Sequence, residues 1–173
     1  KKKDVLNARE NVRQYGWAQE IVEEWKQDVA FTMAHERGDL GAIIPEISAA
    51  THYNLTCPAC VGKQSRMGRA KFRWAGPGDP DVVMCRACGT RFPNADYPET
   101  GRLELPRMGQ TITYYETPEE RAHPEDRARY AFTTAPGQPM MTSLSGLSRL
   151  SRARWGTRQA LTLAKLYAVT DEV

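Results

Sequence analysis

All four cysteines of this 173-residue chain fall between positions 57 and 88, as Cys57-Pro58-Ala59-Cys60 and Cys85-Arg86-Ala87-Cys88. A two-residue gap lets both sulfurs of one tight turn face a common centre. Two such turns supply the four thiolates of a tetrahedral zinc site. Gly89, directly after the second pair, offers the positive-φ residue that bends such a turn back around a metal. Residues 61 to 84 leave room for a hairpin, so the stretch reads as a zinc ribbon: two cysteine turns brought together by antiparallel strands. Four sulfur ligands leave no position open for water or substrate, so one structural zinc is expected on Cys57, Cys60, Cys85 and Cys88.

Other uses of the thiols fit less well. Two disulfides need an oxidising compartment, and the Lys1-Lys2-Lys3 start shows no secretory signal. A redox pair needs only one motif, usually at the start of a helix that follows a strand, and neither pair has that setting. Formal net charge is +3; four metal-bound thiolates and a dication bring it to about +1, which does not imply a strongly basic nucleic-acid surface. No apolar run approaches the ~20 residues of a membrane span, so no membrane partner is expected.

Before the cysteines, Val5, Ala8, Val12, Tyr15, Ala18, Val22, Trp25, Val29 and Met33 recur at steps of three and four, the stripe of an amphipathic helix. Its Trp and Tyr read as core residues because they share that period. Gly16 predicts a bend or a break near Gly16 and Trp17, at about 1 kcal/mol. Gly38 and Gly41 are expected to end the helix, and residues 39 to 56 to form an irregular connection. His52, just before the first cysteine pair, reads as solvated or as a neighbour of the metal ligands.

Within the insert, Arg69, Lys71 and Arg73 alternate with Ala70, Phe72 and Trp74, as in a half-buried strand, with a turn at residues 76 to 80 and a return through residues 82 to 84. Farther on, residues 103 to 115 predict short strands around a Gly109-Gln110 turn. Thr117-Pro118 predicts a helix start, and Pro124 its stop. Residues 135 to 139 read as a loop. From Leu144 a last helix is expected, with Trp155, Ala160, Leu161, Ala164 and Tyr167 or Ala168 on its apolar side. The fold class is therefore α+β, divided as 1–50 (helix and connection), 51–100 (zinc-ribbon insert) and 101–173 (strands, loops and last helix).

Lys63, Arg66, Arg69, Lys71 and Arg73 beside Phe72 and Trp74 form the one candidate anion-binding surface, suited to nucleic acid or to an acidic polysaccharide; a solvated strand face is the plainer account. His35, His52 and His123 are scattered with no nucleophile pattern beside them, and no phosphate-binding glycine motif is present. No catalytic residue is assigned.

Three stretches carry a resemblance. Asn7-Ala8-Arg9-Glu10-Asn11 with Tyr15-Gly16-Trp17-Ala18 resembles the helix ahead of the toroid in heparinase II/III-like polysaccharide lyases. Cys85-Arg86-Ala87-Cys88-Gly89 followed by Phe92-Pro93-Asn94-Ala95-Asp96-Tyr97 is similar to their cysteine pair and Phe-Pro-x-x-Asp segment. Residues 160 to 172 resemble their closing helix hairpin, with Thr170 in place of the Gly before Asp171. The resemblance implies the front of a larger enzyme with an (α/α) toroid, a periplasmic or secreted location, and an acidic polysaccharide as partner through the larger parent chain. Such enzymes cleave uronic-acid polysaccharides by β-elimination, with catalytic groups deeper in the toroid, so this chain alone is expected to be inactive. The alternative is a stand-alone zinc-ribbon module for nucleic acid or protein. Apolar surface on the last helix makes a homo-oligomer a further candidate partner.

Overall fold

The computed structural model describes residues 2–45, 57–60, 72–106, 109–124, 132–133, 139–140 and 143–170. The fold is α+β: helices with small antiparallel sheets. Two compact units are formed, one by residues 1–44 with 153–173 and the other by residues 45–152. No described helix is long and apolar enough to cross a membrane.

The first unit holds α1 (Lys2–Gln14), α2 (Gly16–Met33), α3 (Arg37–Ile43) and the later part of α5 (Leu144–Thr170). The expected break falls at Tyr15, which is extended (φ −122°, ψ 129°) directly before Gly16. Gly38 and Gly41 do not end the first helix. α2 stops at Met33, and both glycines lie inside α3, so residues 39 to 43 are helical where an irregular connection was expected. The helical cost of two glycines is offset by what α3 packs: Ile43 is buried, and the Ile44 side chain lies against Gly156, where a Cβ would crowd it.

Along α2 and α5 the partner numbers rise on one helix and fall on the other, so the two run antiparallel. Val22, Val29 and Leu166 are buried between them, with Val12, Trp25, Leu163 and Val169 alongside. Here the predicted face of the last helix is corrected in part: Trp155, edge-on to Phe31 at 6.0 Å, and Ala168 are half-buried as expected. Leu161 and Tyr167 are 57% and 59% exposed and Ala160 and Ala164 are exposed, whereas Gln159 and Thr162 are buried. Polar partners on α2 explain the choice. Thr32 donates to Gln159 Oε1 at 2.6 Å, and Asp28 accepts from Thr162 at 3.4 Å and pairs through both carboxylate oxygens with Arg158. A hydroxyl or amide with a buried partner costs little to bury, so apolarity alone misreads this helix. Tyr15, expected in the core, is 47% exposed, while Trp25, expected there too, is half-buried under Lys165 Nζ at 5.4 Å.

The second unit is built on β1 (Phe72–Trp74), β2 (Val83–Cys85) and β3 (Arg91–Phe92), an antiparallel sheet in that order with Phe72 opposite Cys85 and Val83 opposite Phe92. β4 (Gly101–Leu105) and β5 (Gln110–Tyr114) form a hairpin through Gly109 (φ +60°), as the strand pattern predicts. α4 (Pro118–Ala122) starts at a complete capping box between Thr117 and Glu120. β6 (Phe132–Thr133) pairs with β7 (Pro139–Met140), so Pro139, expected in a loop, belongs to a strand. The start of α5 seats on this unit. Glu99 accepts from the backbone N–H groups of Leu144 and Ser145 and from the Thr113 hydroxyl at 2.8 Å, placing a carboxylate on the helix N-terminus. Pro80 accepts from Ser148 Oγ at 2.7 Å and from Trp74 Nε1 at 2.8 Å.

Gly101 is buried directly opposite Tyr114, and a Cβ there would come within 2.2 Å of the Tyr114 ring. The phenol itself is held by Glu116, whose other oxygen takes the Thr100 hydroxyl at 3.0 Å, so the ring has little freedom to leave. Gly101→Ala is expected to destabilise the protein by about 2 kcal/mol in urea denaturation. An unchanged midpoint would show that the Tyr114 ring moves aside freely.

Candidate metal centre

The four cysteines come together as their spacing predicts. Their sulfurs all lie within 4.8 Å of one another, with Cys57 to Cys88 and Cys60 to Cys85 each at 3.8 Å. A tetrahedron with metal–sulfur bonds of about 2.3 Å has edges of about 3.8 Å, so the donor set fits a tetrahedral ion of that size. It does not fit disulfides, whose sulfurs stand about 2.05 Å apart, and all four thiols are free.

Backbone hydrogen bonds shape both turns. Cys60 N–H donates to the Cys57 carbonyl at 3.0 Å within the short 3-10 turn Pro58–Cys60. Gly89 N–H donates to the Cys85 carbonyl at 2.9 Å, and Gly89 takes φ +74°, the conformation its place after the second pair predicts. Cys85 is carried on β2, and its own N–H donates to the Thr90 carbonyl at 2.9 Å, which ties the second turn to the sheet.

Cys57, Cys60 and Cys85 are buried with Phe72, Val83, Phe92 and Leu144, with Ala59, Trp74, Tyr97 and Leu147 packed against that cluster. Cys88 alone is exposed. The sequence reading missed two parts of this surround: Leu144 and Leu147 of α5, and Thr90, whose hydroxyl lies 3.1 Å from Cys88 Sγ. Nothing in the local spacing marks the first pair, since they lie more than fifty positions from Cys88. Thr90 was legible as the residue after the glycine of the turn.

Burial first, then the neighbouring Cys85 thiol, pushes Cys57 well above its ordinary 9.0. Cys60 is raised as well, through its hydrogen bond with Cys88 and then through burial. For Cys88 burial acts upward, but hydrogen bonds from the Thr90 side chain and backbone, with those from Cys60 and Cys85, bring it down to about 6. The sign for the reduced, metal-free protein follows. Between about 6 and 9 the folded chain has released a Cys88 proton that the unfolded chain still holds, so stability rises with pH. Above 9.0 the unfolded chain releases protons that folded Cys57 and Cys60 keep, so stability falls. These signs hold while the cluster is folded, and alkylation of the zinc-loaded chain at pH 7 should reach the exposed Cys88 first. With metal bound the thiolates are required, and acidification should release it. Alkylation that reaches Cys57, Cys60 or Cys85 before Cys88 would contradict this order.

Beside the cluster, Arg73, Met84, Cys85, Arg86 and Gly89 line an open cleft of about 550 Å³. Arg73 lies at the centre of β1, exposed, opposite Met84, and Arg86 is exposed in the second cysteine turn. Of the predicted anion contacts, Lys63, Arg66, Arg69 and Lys71 lie outside the described residues, as does His52. His35 and His123 are exposed and belong to no group of three or more potential metal ligands among the described residues. Tyr115 titrates higher than usual, through burial first, and so remains a neutral phenol at pH 7. Comparison with known protein families, with curated proteins and with solved structures found no match to this chain in any of the three.

Proposed function

We propose that this chain is the zinc-stabilised N-terminal region of a heparinase II/III-like polysaccharide lyase. In this reading β1 to β3 and the two cysteine turns form a structural zinc ribbon, and the helices begin an (α/α) toroid. The four sulfurs at tetrahedral spacing support the zinc. What supports the toroid is that α5 packs one side on α2 and carries apolar residues on another. Leu166 is covered by α2, while Leu161, Tyr167, Ala160 and Ala164 stand exposed on another face. A helix inside a double layer of helices is covered twice, and a helix on the rim of a small bundle is covered once. The first and last resembling stretches also meet: Arg9 Nε donates to the Ala168 carbonyl at 2.7 Å, satisfying one of the last carbonyls of α5.

Elimination from a uronic acid needs a group that neutralises the carboxylate and a Tyr or His that takes the C5 proton. Those roles belong to the parent chain, and this region contributes a scaffold. The test is the mass and metal content of the natively purified protein, together with ultraviolet-absorbing unsaturated product from a panel of uronans. One zinc per chain, product from a longer native polypeptide and none from the isolated 173 residues are expected. A native polypeptide that releases no such product from any uronan overturns the lyase reading, and a metal-free one overturns the ribbon.

The competing reading is a stand-alone ribbon that binds nucleic acid, and the Arg73 and Arg86 cleft is what favours it. Charge decides against it. Four thiolates and a dication leave the centre with a charge of −2, which two adjacent guanidiniums offset without any external anion. Arg73→Gln, which removes the positive charge without adding a negative one beside the centre, should abolish salt-sensitive nucleic-acid binding under the second reading and change nothing of that kind under the first.

A further inference from the structure

Three of the four sulfurs are shut away from solvent, with Cys57 at 0%, Cys60 at 5% and Cys85 at 2% exposure, and the fourth, Cys88, faces water. The sulfur 3.8 Å from Cys88 is Cys57, which belongs to the other cysteine turn. We infer that Cys88 is the entry point for a hydroperoxide, and that its oxidation converts the Cys57–Cys88 pair to a disulfide and expels the zinc. This inference rests on the zinc reading above.

The chemistry balances on one peroxide. The Cys88 thiolate attacks a peroxide oxygen, the O–O bond breaks, and hydroxide leaves and takes a proton to become water, giving a sulfenic acid. The Cys57 thiolate then attacks that sulfur, the S–O bond breaks, and a second hydroxide leaves and is protonated. Two thiolates have lost two electrons in total, and one peroxide has become two waters. The centre is left with Cys60 and Cys85, and two thiolates hold a dication far more weakly than four. Geometry sets the order: an oxidant reaches the exposed sulfur first, and the buried partner needs to move by less than about 2 Å to form an S–S bond. Because that bond joins the two turns, the oxidised form keeps them tethered, and a thiol reductant with fresh zinc restores the starting state.

The test uses the full zinc-loaded chain with hydrogen peroxide, after its zinc content has been measured. Zinc release is followed with a chromophoric indicator, the first sulfenic acid is trapped with dimedone, and disulfides are mapped by mass spectrometry. The expected results are dimedone on Cys88, a Cys57–Cys88 disulfide and one zinc released per disulfide. Cys88→His keeps four donors, and is expected to hold zinc and release it at least tenfold more slowly. Trapping first on Cys57, Cys60 or Cys85, a Cys85–Cys88 disulfide, or zinc that stays bound after Cys88 has reacted would each overturn the inference. Should Cys88→His take up no zinc, the trapping site in the unmodified chain decides alone. A chain with no zinc at the outset fails the earlier reading, whereas a zinc-loaded chain that reacts elsewhere fails only this one.

Discussion

Stripping the metal from the reduced protein with a strong chelator is expected to unfold the cysteine-bearing sheet. Among the described residues the buried cluster there consists of Cys57, Cys60, Phe72, Val83, Cys85, Phe92 and Leu144, so three of the seven are cysteines of the candidate centre. The strands are two or three residues long, too short to hold a sheet by backbone pairing alone. A structural zinc supplies on the order of 10 kcal/mol of apparent binding energy at pH 7, comparable with the whole stability of a domain of this size. Hydrogen exchange should show the amides of β1 to β3 losing protection on metal removal. Helical circular dichroism from α1 and α2 should persist, because Val22, Val29 and Leu166 involve no ligand. Cys60→Ser should reproduce the effect, since it removes a buried donor. A sheet that stays protected without metal would show that the thiols are only packed together and the ion is dispensable.

The cysteine cluster was legible because its rule is local. Two Cys-x-x-Cys turns and a following glycine set most of the geometry within a few bonds, so spacing in the chain translates directly into spacing in space. The same holds for the Thr117 capping box and the Gly109 turn, each decided by neighbours no more than three positions away. What was misread depended on distant partners. Ala160, Leu161, Ala164 and Tyr167 look like a buried stripe by composition, but Asp28 and Thr32, more than 120 positions earlier, make Gln159 and Thr162 the cheaper residues to cover. Gly38 and Gly41 look like helix terminators, and only the burial of Ile43 and the seat of Ile44 on Gly156 reveal why α3 forms through them. Tyr15 shares the period of the stripe, yet its own extended backbone ends α1 there and leaves the ring exposed.

Phe92→Ala is expected to be the most damaging substitution outside the ligands, and to weaken zinc binding without touching a sulfur. Phe92 has no exposed surface and lies opposite Val83 in the sheet. Its ring meets Phe72 edge-on at 6.1 Å and Tyr97 at 5.8 Å. Removing a buried ring costs about 4 kcal/mol, from lost transfer energy and the cavity left behind. Because the ring packs in one cluster with Cys57, Cys60 and Cys85, that loss should reappear in the metal equilibrium wherever binding and folding are coupled. About 4 kcal/mol corresponds to a roughly thousandfold weaker apparent zinc affinity. A competition titration against a chromophoric chelator reads it directly, and Phe92→Leu should fall between. Trp17→Ala, 55% exposed in the other unit, serves as the control and should leave zinc affinity unchanged. Were Phe92→Ala to shift zinc affinity by less than about tenfold, the aromatic cluster and the metal would be separate supports of this sheet, and the coupling argued here would be wrong.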